Sequence, residues 1–327
     1  MRALVYAAPR RLIVEDCPRP YPAGGEVEIA VAAAGICGTD ISGFLGRSRH
    51  RTPPLILGHE MVGRTPHGHR VVVDPVLSCG GCVHCRRGQT NLCRGLRLLG
   101  MDPMPGCFAE FVAVPRSQVY QIPESLTDAQ AIYAEPLANI VHLFRLAAPG
   151  PGFRVGIVGA GTMGSLALKM ALHFGASEVQ VEDVNEVRLA AARRMGATRV
   201  VNPESENGEA GGLEQDRLDL VLDACGEEKA RQRAFDLCRP GGTVVLLGMA
   251  KGRSELDINA GIRKELRVLM SFGYTTEDFR RSLDLLVAGE MDMKEWTAEM
   301  RLEDGQAAFE QMSGSRGNTL KMVLRVS

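Results

Sequence analysis

The stretch Arg154-Val155-Gly156-Ile157-Val158 followed by Gly159-Ala160-Gly161-Thr162-Met163-Gly164 constrains the fold more than any other part of the chain. A short apolar run closed by glycines reads as a buried strand. Ser165 to Phe174 then reads as a helix, Val179 to Asp183 as a second strand and Glu186 to Met195 as a second helix. Strands that alternate with helices in this way make a parallel sheet. The alternation continues through Asp219 to Asp223, a helix over 228–238 and the strand Gly242 to Gly248. A bare G-x-G-x-x-G is weak evidence, but here each part has a mechanical reason. Gly159, Gly161 and Gly164 allow a tight turn and close approach of a pyrophosphate, which would sit at the N-terminus of the helix that follows, with Thr162 and Met163 among the residues expected to line it. Asp183, after the next strand, is placed to hydrogen-bond ribose hydroxyls. An acid there repels the extra phosphate of NADP, so NAD(H) is expected over NADP(H). Arg188, five residues on, is expected to pack near the adenosine.

The chain ahead of this region has a different texture. Arg2 to Tyr6, Arg11 to Glu15 and Glu26 to Val31 alternate apolar and polar residues and read as short strands, broken by Pro18, Pro20, Pro22 and Gly24-Gly25. Residues 36–46 suit a short helix, and 71–75 and 109–114 suit further strands. Ala129 to Ala147 reads as helix interrupted near Glu135-Pro136. Residues 204–216 are polar and glycine-rich and read as a surface loop. Phe279 to Val287 is an amphipathic helix, and Lys321 to Val326 a closing strand. With 327 residues, two domains are expected.

Four of the nine cysteines fall in Cys79-x2-Cys82-x2-Cys85-x7-Cys93. In a reducing compartment this clustering argues for metal rather than disulfides. Four thiolates at these spacings wrap one tetrahedral Zn²⁺ and leave no open position, so the site is structural. An iron–sulfur cluster is the rival. His84 lies inside the lobe, but the shell is already complete. A second set is dispersed: Cys37 in Gly35-Ile36-Cys37-Gly38-Thr39-Asp40, then Gly58-His59-Glu60, then Glu135. A catalytic zinc takes about three protein ligands and keeps one position open. Cys37, His59 and one of Glu60 or Glu135 would suffice. No spacing rule forces them together, and a buried cysteine with a surface His-Glu pair is the plain alternative.

Net charge is −1, with no long basic or acidic run, which gives no support for nucleic-acid or membrane-surface binding. The N-terminus lacks the apolar core of a signal peptide, and no apolar run approaches a membrane span. A cytoplasmic location is expected.

These parts, in this order, resemble the zinc-dependent medium-chain dehydrogenase/reductase family. The similarity is nearest to its polyol (sorbitol-type), galactitol-phosphate and threonine dehydrogenases. Gly35 to Asp40, Gly58-His59-Glu60, the four-cysteine lobe, Glu135-Pro136-Leu137, Arg239-Pro240-Gly241-Gly242 and Ser271 to Phe279 carry the resemblance. It implies an α/β architecture: a GroES-like β-rich catalytic domain over 1–137 and 273–327, with the zinc lobe at about 78–95, and a Rossmann doubly wound parallel sheet over 138–272. It implies two Zn²⁺ per chain, one catalytic and one structural, and a homodimer or homotetramer. Cys37 and His59 match zinc ligands, and Glu60 and Glu135 match carboxylates that bind the metal or stand just behind it. Asp40 matches an acid that orients the zinc histidine, Thr39 the hydroxyl that takes the substrate proton, and Lys321 a basic residue near the cofactor phosphates.

The chain also departs from the pattern. Ser42 stands where relatives carry a histidine that relays the proton to solvent, so the relay is expected to use Ser42 and water, or an exit through Glu60 or His50. The segment 63–71 is short, with His67 and His69 expected in a turn, and Cys107 replaces a glycine. The implied reaction is reversible NAD-linked oxidation of a secondary alcohol to a ketone. A sugar alcohol or cyclitol leads as substrate, because Glu135 stands in place of a thiolate. An amino alcohol of the threonine type comes next, and a non-catalytic NAD-binding scaffold of the same fold is the reading from another class. Ser42, Tyr274 and Asn139 are candidates for holding substrate hydroxyls, with Phe44 and Leu45 either lining the site or simply packed.

Overall fold

A computed structural model describes residues 1–205, 217–314 and 319–326. The loop expected at 204–216 therefore lies, apart from its first two residues, outside the described residues. The chain divides into two compact units, Met1–Glu135 with Thr275–Ser327, and Pro136–Tyr274.

In the second unit, six parallel strands follow the order Arg199–Val201, Glu178–Glu182, Arg154–Val158, Leu218–Asp223, Cys238–Leu246, Arg267–Met270. The chain begins at Arg154–Val158, runs outward through two strands, then returns to the other side of its starting strand. That reversal is a topological switch point, where ligands of open α/β sheets bind. The strand is buried from Val155 to Val158, as its unbroken apolar run requires. Helix Thr162–His173 leaves from its carboxyl end, starting three residues before the sequence pattern suggested, with Gly161 as extended N-cap. The other break that the sequence suggested falls elsewhere. Helices Asp128–Ala131 and Ala134–Ala147 are separated at Ile132-Tyr133, not at Glu135-Pro136. Pro136 is accommodated in the first turn of the second helix, where a missing N–H costs no intrahelical bond.

In the first unit, strand Glu26–Gly35 is the hub. It pairs antiparallel with Phe111–Pro115 along its first half, with Glu60–Arg64 along its second, and with Lys321–Arg325 on the opposite side. The strand runs four residues past the sequence expectation because the small residues Ala32 to Gly35 find partners on both sides. Gly35 lies opposite both Glu60 and Val323. A Cβ there would collide with the Glu60 carboxylate and approach Lys321 Cε to 2.9 Å. Glycine at 35 is thus what lets those two side chains meet. Strands Glu60–Arg64 and Arg70–Val73 are joined by a tight turn closed by Thr65 N–H donating to His69 O at 3.0 Å, with His67 and His69 exposed. The core beneath gathers Leu4, Ile29, Phe44, Phe108 and Phe309, with Phe44 and Phe309 ring centroids 5.3 Å apart.

Candidate metal centres and dinucleotide site

The thiol sulfurs of Cys79, Cys82, Cys85 and Cys93 all lie within 4.8 Å of one another. Cys82 caps the short helix Val83–Arg86, and backbone groups of Cys85 and Arg94 hold its thiol down to about 5. Cys79 N–H points at Cys93 Sγ at 3.2 Å. Backbone donors favour the thiolate at Cys82 and Cys79, whereas burial and the neighbouring thiols push Cys85 up to about 11, and four sulfurs at this spacing fit a tetrahedral divalent cation whose charge would offset that cost. His84 is outside the group and bonds the Gln89 side chain at 3.2 Å.

A second group joins Cys37, His59 and Glu60, again with ligand atoms within 4.8 Å. Its members come from two segments that strand register brings together. Cys37 N-caps helix Gly38–Phe44 just beyond Gly35, while Glu60 opens the facing strand and His59 immediately precedes it. Asp40 is fully buried, accepts from Cys37 N–H at 3.1 Å and lies 3.5 Å from His59 Nδ1. That contact occupies one ring nitrogen and leaves Nε2 for a metal. Burial alone would raise the Asp40 pKa, but His59 and Arg51 hold it at about 2. Burial would depress His59, yet Asp40 and Cys37 push it well above its usual value. With Asp40 on one side of the imidazole and Cys37 and Glu60 on the other, the donor set is one that a divalent cation fits. Cys37 is partly exposed and Thr39 exposed, which gives the site an open side.

Lys321, for which the resemblance implies a place near the cofactor phosphates, is buried in the first unit, where it pairs with Glu60 and donates to Ile36 O at 3.3 Å. Burial opposes its charge, but Glu60 and Cys37 more than offset this and raise its pKa. Glu135 is half-buried at the second position of helix Ala134–Ala147 and is outside the 4.8 Å group. Cys107 is buried behind the site, with Sγ 3.5 Å from Glu60 O. Phe44 and Tyr274 are almost fully buried and Phe44 belongs to the core, while Ser42 is partly exposed and its carbonyl accepts from Arg47 N–H. The proposed exit His50 is exposed, its Nε2 accepting from Arg49 Nε at 3.2 Å.

One residue escaped the sequence reading. Arg51 is 5% exposed and donates through Nη2 to Thr39 Oγ1 at 3.0 Å. No motif marks it, because its partner is reached around a helix rather than along the chain.

In the second unit, Gly159 takes φ +103° at the end of its strand, and a Cβ on Gly164 would strike Gly159 O. The loop and the acid are tied together. Asp183 Oδ2 accepts from Ala160 N–H at 2.7 Å, Oδ1 accepts from Asn185 N–H at 2.8 Å, and Arg188 Nη1 is 4.0 Å away. Thr162 and Met163 are partly exposed in the first turn of the helix.

A parallel sheet with this turn at its switch point, in one chain with a thiolate–imidazole–carboxylate group, defines a metal-dependent, nicotinamide-linked dehydrogenase. Residues 23–124 match the alcohol dehydrogenase GroES-like domain, and residues 162–288 match the zinc-binding dehydrogenase family. The chain is 31% identical to the D-xylulose reductase A of Aspergillus oryzae, covering 93% of this chain and 91% of that one. It is 30% identical to the sorbitol dehydrogenase of Bacillus subtilis, covering 99% and 97%. A zinc-binding dehydrogenase from Sinorhizobium meliloti 1021, solved bound to NADP, is 30% identical with TM-score 0.90 and 99% of each chain covered. The protein therefore belongs to the zinc-containing alcohol dehydrogenase family and is an oxidoreductase acting on CH–OH donors. Zinc and a nicotinamide dinucleotide are the cofactors of that chemistry. Among the described residues, no helix is long and apolar enough to cross a membrane.

Proposed function

We propose that this enzyme catalyses the reversible NAD-linked oxidation of a secondary alcohol of the sugar-alcohol or cyclitol type to a ketone. The observation that carries the reading is the group Cys37, His59 and Glu60, with the Thr39 hydroxyl 3.3 Å from Cys37 Sγ on its open side. Cys37 and His59 are the zinc ligands in this reading, and the third is Glu60 or Glu135. Zinc supplies Lewis acidity, which lowers the pKa of an alcohol hydroxyl, and NAD accepts the hydride. Asp40 fixes the orientation of His59, and Lys321 balances the charge of Glu60. Thr39 takes the alcohol proton and passes its own hydrogen to water. The four-cysteine lobe holds a second zinc.

Gly159, Gly161, Thr162, Met163 and Gly164 receive the pyrophosphate and Asp183 the ribose, which favours NAD; the NADP held by the Sinorhizobium relative is the reason to assay both. The D-xylulose reductase and sorbitol dehydrogenase relatives support a polyol. A reducing cytoplasm suits nine cysteines that are all free. Strand Arg267–Met270 ends the parallel sheet with Val268 and Met270 exposed, an edge suited to a second copy of the chain.

The test is a panel of polyols, cyclitols and amino alcohols with NAD and NADP, followed by nicotinamide absorbance. Turnover of a polyol with NAD is expected. Preference for an amino alcohol sinks the substrate reading, preference for NADP sinks the reading of Asp183, and no turnover at all favours a non-catalytic scaffold.

A further inference from the structure

We propose that Arg51 is a positioning residue for the reaction, tying the exposed Thr39 hydroxyl to the buried Asp40 carboxylate on a helix that carries Ser42 and no imidazole. The inference rests on the reading of Thr39 as the group that takes the alcohol proton.

The geometry is specific. Arg51 reaches back over helix Gly38–Phe44, and its stem crosses Gly43, where a Cβ would come within 2.5 Å of Arg51 Cδ and 3.1 Å of its Cβ. Glycine on that face is what admits the guanidinium. Nη2 then donates to Thr39 Oγ1 at 3.0 Å, and Nε lies 3.5 Å from Asp40 Oδ1, the same oxygen that is 3.5 Å from His59 Nδ1. Burying an arginine is costly, and an ion pair at this depth is weak evidence of stabilisation. Arg51 Nε makes no hydrogen bond among the described residues, so the ion pair does not by itself account for the burial. The short bond is to Thr39, whose side chain is otherwise exposed.

A hydroxyl has one hydrogen and two lone pairs, and guanidinium donates only and keeps its protons. Arg51 therefore occupies one lone pair of Thr39 Oγ1 permanently. The Thr39 hydrogen points to Cys37 Sγ at 3.3 Å. One lone pair remains, in a direction set by the other two bonds, and the alcohol proton is delivered to it. As the substrate O–H bond breaks and a new Oγ1–H bond forms, the original hydrogen turns from Cys37 Sγ to a water on the exposed side of Thr39, its Oγ1–H bond breaks and the water takes the proton, because Arg51 has no lone pair to accept it.

The test is a double-mutant cycle on the zinc-loaded enzyme with Thr39→Ala, Arg51→Met and both. Arg51→Met is expected to lower kcat by about tenfold to a hundredfold with KM within about threefold. The double variant is expected to match Thr39→Ala within about twofold, since an anchor is worthless without its hydroxyl. Unchanged kcat in Arg51→Met, or losses that multiply in the double variant, overturns the proposal. If Arg51→Met does not fold, Arg51→Lys takes its place in the cycle, keeping the charge but losing the fork. A second readout does not depend on turnover. With cobalt in place of zinc, Arg51→Met is expected to shift the d–d bands, because Asp40, 3.5 Å from both Arg51 and His59, loses its cationic neighbour, whereas Thr39→Ala, which removes the hydrogen bond to Cys37 Sγ, is expected to move only the sulfur-to-cobalt charge-transfer band. If the unaltered protein oxidises no alcohol, the dehydrogenase reading fails separately, and unchanged cobalt bands in Arg51→Met then overturn the role assigned here.

Discussion

At the scale of single residues, the site is a set of charges that only make sense in pairs. Glu60 and Lys321 are each 1% exposed and paired with one another behind Cys37. Removing one partner strands the other in a low-dielectric interior. Lys321→Met is expected to cost about 3–5 kcal/mol in urea unfolding, with part of it regained in Lys321→Met/Glu60→Gln, where neither charge is left unpaired. A double variant no more stable than the single one would show that the pair is not coupled. Cys37 is tested by its metal. Cys37→Ser is expected to abolish alcohol oxidation and to reduce zinc from two per chain to one, with NADH binding by fluorescence retained. Turnover by the one-zinc variant would refute the assignment. Cys37, His59, Thr39 and Asp40 stand out in the sequence as residue types with metal and proton chemistry. Arg51 does not, because an arginine in a basic loop has the appearance of solvated surface until the helix it crosses is seen.

At the scale of elements, alternation and turn chemistry made most strands and helices readable. The misses have physical causes. The helix break moved from Pro136 to Ile132-Tyr133 because a proline in a first turn is compatible with helix. Edge strands such as Val76–Leu77, Arg97–Leu98 and Arg199–Val201 are two or three residues long, too short for a period to register. The parallel sheet also carries a pH-sensitive tie. Asp219 accepts from Arg154 N–H at 2.8 Å and from Arg239 Nε at 2.6 Å, joining neighbouring strands. Burial would raise its pKa, but Arg154 and Arg239 hold it at about 2. A carboxylate depressed in the folded state stabilises fully above its unfolded value, near pH 4, and loses that contribution as pH falls toward 2. Asp219→Asn is expected to remove this acid-labile part, on the order of 1 kcal/mol after allowance for solvent screening. Identical stability slopes between pH 4 and 2 in variant and parent would contradict it.

For the whole molecule, the division into two units was suggested by a change of texture near residue 128, and each unit has its own sheet and core. The β-rich unit is assembled from both ends of the chain, since Lys321–Arg325 pairs with Glu26–Gly35. The exposed strand Arg267–Met270 makes the proposed oligomer testable. Val268→Lys/Met270→Lys is expected to reduce the mass seen by light scattering to that of one chain, with unfolding temperature little changed at low protein concentration. A mass equal to that of the unaltered protein would place the interface elsewhere.

The sequence by itself determined the parallel sheet, the glycine-rich turn with its acid, the four-cysteine lobe and the family. Each of these is written in spacings of a few residues, the range over which backbone geometry and ligand reach act. Only the tertiary structure decided that Lys321 pairs with Glu60, that Glu135 stands outside the group of Cys37, His59 and Glu60, and that Arg51 donates to Thr39. Those outcomes depend on strand register and on one side chain crossing a helix. Lys321 and Ile36 meet across 285 residues, and at such separations contact is set by how the sheet closes, which no local pattern encodes.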